Sequence, residues 1–270
     1  MNISALIRSE MLLVYGELLR RKQSLLIYAL YPYIMTFFIV FIGSSVGSIE
    51  SFEVRIGVNP LTYFMTASFS LFVILGIVDD VLWSPIYDDN IGTLPYVISS
   101  PTPWFLRFLI IPIPRLIIAV VLGFTSVVPL FTYLEGLTGL TISLVVIGLA
   151  ALAGLLLSTF AVLLVCAISM AVGESWRLLN IVRPVMMIML GVYYPRFMMP
   201  FTAQVLSYAL PSSHVIDLIT RTLVSGGLPE LTMVASLLGV GTALAVMYGP
   251  PSYRASRSLE LKKLREGIKT

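Results

Sequence analysis

Asp79-Asp80 and Asp88-Asp89 are the only adjacent carboxylates in the chain, and the two pairs stand nine residues apart. Carboxylates so placed could supply oxygen ligands to a divalent cation. The simpler reading makes them solvated acids at a helix end. His214 and Asp217 are three residues apart, which on a helix brings them to one side. They could hold a proton or a metal ion, against the simpler reading of a paired surface histidine. His214 is the single histidine and Cys166 the single cysteine. A metal centre built from histidines is therefore not expected, and a disulfide within the chain is impossible. None of Lys22, Lys262, Lys263 and Lys269 follows a glycine, so the Gly-Lys loop that cradles nucleotide phosphates is missing. No catalytic residues and no cofactor site are expected in this chain.

The elements that carry these residues are unusually apolar. Of 270 residues, 58% are hydrophobic and 11% charged, with 17 Lys and Arg against 14 Asp and Glu; the mean hydropathy is +0.96. A soluble domain carries about 25% charged residues. This composition excludes a water-soluble globule and intrinsic disorder. A net charge of +3 over 270 residues also gives nucleic acid no basic surface to bind. The chain reads as an all-α integral membrane protein.

About 20 apolar residues cross a bilayer as a helix, and the charge-free intervals place such spans at 24–46, 61–78, 116–134, 142–172, 178–195 and 231–249. Gly136 and Gly139 are assigned to the loop between the third and fourth. The fifth crosses only if Arg183 snorkels to an interface. Segment 197–216 is apolar but broken by Pro200 and Pro211, and reads as a re-entrant dip from the outer face. With both termini in the cytoplasm, fourteen of the 17 basic residues lie inside, leaving Arg55, Arg196 and Arg221 outside. A seventh span would export the basic tail. Ile3, Leu6, Ile7, Met11, Val14 and Leu18 recur at helical spacing, so 1–22 is expected to be an amphipathic helix on the inner membrane face. Its basic cluster follows the apolar stripe, unlike that of a cleavable signal. Gly43 and Gly47 have the spacing of a helix-contact motif, although glycines at a span end are common in loops. Glu174 and Arg177 are expected to cap the fourth span.

The longest connection is the cytoplasmic segment 79–115. Within it Gly92 permits a turn, Thr93 can cap, and Pro95 is tolerated in a first helical turn. Ser99, Ser100 and Pro101 then stop the helix. Leu94, Val97 and Ile98 give this short helix one apolar side that needs a surface to cover it.

At these residues the sequence resembles the membrane subunits of type-2 ABC exporters. Members carry an acidic stretch after the second span, then Gly-Thr-Leu-Glu, a few apolar residues and Ser-Pro. Here Asp88 and Asp89 stand in the acidic stretch, Gly92-Thr93-Leu94 and Ser100-Pro101 match, and Pro95 replaces the Glu. Gly191, Tyr194-Pro195, Pro200 and Pro211 match a second family pattern in and after the fifth span, where the family forms outer helices that cap the pathway.

The resemblance implies a permease subunit, in the plasma or inner membrane, that exports a substrate by alternating access. Two copies of a separate ABC ATPase would bind ATP and Mg. The membrane subunit would pair with a second one, identical or related. Asp88, Asp89, Gly92, Thr93, Leu94, Ser100 and Pro101 would couple to the ATPase. Tyr63, Thr66, Ser70, Met186, Met187, Leu190 and Tyr193 would line the substrate path, and Tyr194, Pro195, Pro200 and Pro211 would form the outer cap. Ordinary helix packing or lipid contact is the competing reading for each path residue. The Met-rich run at 186–189 would suit apolar or amphiphilic cargo. A secondary transporter is the alternative, but no mid-membrane acid falls in the spans. A structural subunit of another membrane complex differs from a transporter only through segment 92–101.

Overall fold

The computed structural model describes residues 3–16, 20–46, 49–171 and 175–266. Leu18, Gly47 and Glu174 lie outside them. The described residues are almost entirely helical, with no strand among them. In chain order the helices are α1 (Ile3–Val14), α2 (Lys22–Val46), α3 (Ile49–Ile56), α4 (Pro60–Ile91), α5 (Leu94–Ile98), α6 (Trp104–Ile110), α7 (Pro112–Ala171), α8 (Ser175–Met189), α9 (Phe201–Tyr208), α10 (Pro211–Ser225) and α11 (Leu231–Glu266).

Four apolar helical stretches are long enough to cross a membrane: 25–44, 60–91, 104–171 and 231–265. The third turns back on itself. Gly136 has a φ of 65° and ψ of −138°, outside any helical region, and the chain reverses there. A Cβ on Gly123 would lie 3.0 Å from Ile147 Cγ1, whereas a straight helix would hold the two residues about 36 Å apart. α7 is therefore two antiparallel arms, Pro112 to Glu135 and Leu137 to Ala171. The expected loop contracts to one residue. Gly139 belongs to the second arm and passes so close to the Phe131 carbonyl that a side chain would collide with it.

The core forms around α4. Its most apolar window is 78% buried, against 11% for α2 and for α11, so α4 is central and the other two are peripheral. A helix that is apolar all round is a buried one. Phe69, Ile74, Ile77, Val78 and Val81 on α4 meet Ile147, Ala150, Ala153 and Val162 of α7 in one cluster. Small residues permit the approach: a Cβ on Gly154 would collide with Ile77, the kind of close contact that packs helices where water exclusion supplies little force.

Several boundaries differ from those read in the sequence: the helix expected over 1–22 is α1, Ile3–Val14, and the segment expected to end at 216 runs on through α10 to Ser225. α4 does not end near residue 78 but continues to Ile91, because its late acids find cationic partners within the protein. The stretch assigned to 178–195 is helical only to Met189; at about 22 Å it is shorter than the roughly 30 Å hydrocarbon core. Gly191, with a φ of 75°, turns the chain there. α11 carries on well past residue 249, through Pro250 and Pro251, to Glu266.

Candidate functional site: the braced tip at the end of α4

Gly92 stops α4. It takes the left-handed conformation, φ 77° and ψ 17°, which a side chain would strain. Its N–H donates to the Asp89 carbonyl at 3.1 Å, and the Thr93 N–H donates to that of Asp88 at 2.9 Å. Thr93 is at the cap position of α5 but makes no cap bond with its side chain. Its hydroxyl instead donates to Asp88 Oδ1 at 3.1 Å. Pro95 is in the first turn of α5, and the helix ends at Ile98 before Ser99. The Ser100 hydroxyl points to the Thr102 carbonyl at 3.5 Å, and Pro101 is exposed.

The apolar side of α5 is covered from within. Leu94 and Ile98 are both buried and belong to the main core cluster with Trp104 and Phe108. The opposite side faces outward: Tyr87, Ile91 and Tyr96 are 63%, 55% and 76% exposed, with Asp89, Asn90 and Gly92 exposed between them.

Charge fixes the tip to the body. Arg107 on α6 forks onto both carboxylate oxygens of Asp88, its Nη1 close to Oδ2 and its Nη2 at 3.2 Å from Oδ1. The Nε of the same guanidinium lies 3.6 Å from Glu10 Oε1 on α1. One arginine thus ties α1, α4 and α6 together. Burial raises the Glu10 carboxyl above its usual range, opposed by the Arg107 charge and reinforced by that of Asp88. Farther back along α4, Arg115 bonds Asp80 at 2.6 Å and Arg183 approaches Asp79 at 3.5 Å. The expectation of solvated acids is corrected: of the four aspartates only Asp89 is exposed, because cations from α6, α7 and α8 reach the others. No group of three or more His, Cys, Asp or Glu is arranged to hold a metal among the described residues.

Four of the residues assigned to a substrate path line two separate hollows. Tyr63, Thr66 and Ser70 share one face of α4 and meet Val192, Ile219 and Thr220 around a space of about 10 Å³. The Tyr63 hydroxyl donates to the Val192 carbonyl at 3.2 Å. Met186 lies instead in an apolar groove of about 260 Å³ with Phe160, Leu164 and Leu210. Leu190 is buried, whereas Met187 and Tyr193 are half-buried.

At the opposite end of α4 from the tip, Pro200 and Pro211 open α9 and α10, Pro195 is buried, and Tyr194 is exposed. Arg196 donates to Ser213 Oγ at 2.8 Å and stacks over Tyr208, 4.3 Å from the ring centre. His214, expected at the surface, is buried, with Nε2 3.0 Å from the Tyr208 carbonyl oxygen. Asp217 pairs with Arg221 rather than with the histidine.

The brace around Arg107 escaped the sequence reading. One signal was present: segment 79–115 holds four acids and two arginines, Arg107 and Arg115. Compared with protein-family models, curated proteins and solved structures, the chain has no match.

Proposed function

We propose that this chain is the membrane subunit of an ATP-driven transporter of the ABC type, working as an exporter with a separate ATPase. The observation that carries the reading is the two-sided tip. Its inner side, Leu94, Ile98 and the Asp88 carboxylate, is fixed to the body, while Tyr87, Asp89, Ile91 and Tyr96 face outward. A short helix so held transmits force without bending and offers an aromatic and acidic surface to a soluble partner. Exposed aromatics of this kind are what anchors a protein interface. Closure of two ATPase subunits on ATP and Mg would push the tip and, through α4, move the helices as rigid bodies.

In this reading Gly92 and Thr93 shape the turn, Leu94, Ser100 and Pro101 set the orientation of α5, and Asp88 locks it. The substrate path would run along Tyr63, Thr66 and Ser70, which α10 covers in this conformation, with Tyr193, Met186, Met187 and Leu190 continuing it between two membrane subunits. Tyr194, Pro195, Pro200 and Pro211 shape the cap that opens at the outer face of a plasma or inner membrane.

The test is purification of the tagged chain from its own membranes. A co-purifying protein with a Gly-Lys phosphate loop, and ATP hydrolysis that disappears when Tyr96 and Ile91 are both replaced by Ala, is the expected result. A chain that purifies without any ATPase, or whose ATPase is retained and coupled after that double replacement, would overturn the assignment.

A further inference from the structure

We propose that the cleft between α2, α4, the first arm of α7 and α8 binds a single phosphate-bearing lipid, drawn from the leaflet nearest α1. The proposal rests on membrane embedding alone and is independent of the transport reading. The cleft measures about 300 Å³, and Tyr28, Tyr31, Phe72, Leu116 and Ala119 supply much of its apolar wall. The tyrosine rings pack against Phe72 with centres 5.3 and 5.4 Å away, which makes that wall stiff. Asp79, Arg115 and Arg183 are the charged lining residues, and Asp80, bonded to Arg115, balances the second guanidinium.

The two arginines differ in how far they are engaged. Arg115 is held by Asp80 at 2.6 Å, with its side chain 17% exposed. Arg183 is 51% exposed and lies 3.5 Å from Asp79, too far for a good hydrogen bond. Its planar fork is suited to bidentate contact with a phosphate. Asp79 is nine residues before Asp88, about 14 Å along the helix from the tip. Arginine and tyrosine are the side chains that meet headgroups at a membrane interface.

Two further features favour a lipid over a free phosphate. The cleft opens beside α2, the peripheral helix whose apolar residues lie mostly unburied, so acyl chains have direct access to it. Gly76 contributes to the lining, and a Cβ there would meet nothing nearer than Arg115 Cδ at 3.7 Å. Packing therefore does not require glycine in the middle of α4, where it weakens a helix. Its missing side chain deepens the hollow.

The experiment uses the full chain in detergent, delipidated and then titrated separately with phosphatidylglycerol, phosphatidylethanolamine, diacylglycerol and glycerol phosphate. Native mass and the thermal midpoint are followed together. Both phospholipids should bind one per chain and raise the midpoint, whereas diacylglycerol and glycerol phosphate should do neither. Arg183→Gln should weaken phospholipid binding by about tenfold, the scale of one charge-assisted hydrogen bond, with Arg183→Lys partly restoring it. Gly76→Leu should abolish binding by filling the cleft, while leaving the lipid-free midpoint close to that of the parent chain. Equal binding of diacylglycerol, or unchanged retention in both the Gln and Leu variants, would reduce the effect to bulk lipid and overturn the proposal. Binding of glycerol phosphate as tight as that of the phospholipids would overturn it in favour of a soluble anion site.

Discussion

Arg107 grips both oxygens of Asp88 from nineteen residues farther along the chain, and with its remaining edge it reaches Glu10. Two carboxylates from two helices thus depend on one cation. Removing that cation leaves two buried negative charges facing each other, which is far worse than removing either acid. Arg107→Met should therefore destabilise the protein by about 3–5 kcal/mol, the usual cost of breaking a buried ion pair. The additional Asp88→Asn change should recover much of the loss. Thermal or denaturant unfolding in detergent measures both. A single variant as stable as the parent would show that the brace contributes nothing.

The same geometry gives α1 a pH dependence of definite sign. Burial raises the Glu10 carboxyl from its usual 4.5, so docked α1 holds the proton more tightly than detached α1 does. Docking is then strongest at and below the ordinary value and weakens as pH rises through the raised one, where it levels off. The protection of the amides at 3–14 against hydrogen exchange, taken relative to the intrinsic rate at each pH, should fall across that window. Glu10→Gln, which keeps the side chain neutral, should flatten the profile. Protection that grows as pH rises would reverse the sign and refute the docking geometry.

Within the tip, stability and partner binding should separate by residue. Leu94 is buried and Tyr96 exposed, two positions apart on one short helix. Leu94→Ala empties a core site and should cost about 2–5 kcal/mol, whereas Tyr96→Ala should leave unfolding unchanged and weaken association with the proposed ATPase partner. Gly92→Ala, forced to a φ of 77°, should cost about 1–2 kcal/mol. Unfolding curves set beside retention of the proposed ATPase partner on purification decide the matter. Loss of stability with Tyr96→Ala would mean that the outward face is not free.

How far the sequence led depends on which interaction decided each feature. Hydropathy is a property of each segment alone, so the apolar runs at 24–46 and 61–78 reappear as α2 and the core of α4. Pro200 and Pro211 act on their own backbone and break segment 197–216 as expected, each standing at the start of a helix. Gly92 likewise ends α4 ahead of the short helix, and Pro95 sits in its first turn. The acids at 79, 80 and 88 were misread because their solvation depends on arginines 19 to 104 positions away, and a local reading sees only unpaired charge. The same holds for the apolar side of α5, which meets a surface of its own chain. His214 was placed at the surface because nothing adjacent in sequence shows that the Tyr208 carbonyl lies against its ring.

The packing of α4 against α7 makes the sharpest contrast between glycines. Gly148 and Gly154 lie six residues apart on the second arm of α7, yet a Cβ on Gly148 would meet nothing within 4 Å, while one on Gly154 would collide with Ile77. Ile77 belongs to the most buried stretch of the molecule, with Val73 and Val81 on the same helix, so it has little room to retreat. Overpacking at such a site typically costs about 1–3 kcal/mol. Gly154→Val should therefore lower the unfolding midpoint and the yield of folded protein. Gly148→Ala should be neutral or slightly stabilising, since alanine is favoured over glycine inside a helix. An Ile77→Ala change made together with Gly154→Val should restore part of the loss by opening the space that the new side chain needs. If the two glycines tolerate substitution equally, α4 and the second arm are not in the close contact that makes α4 the centre of the fold.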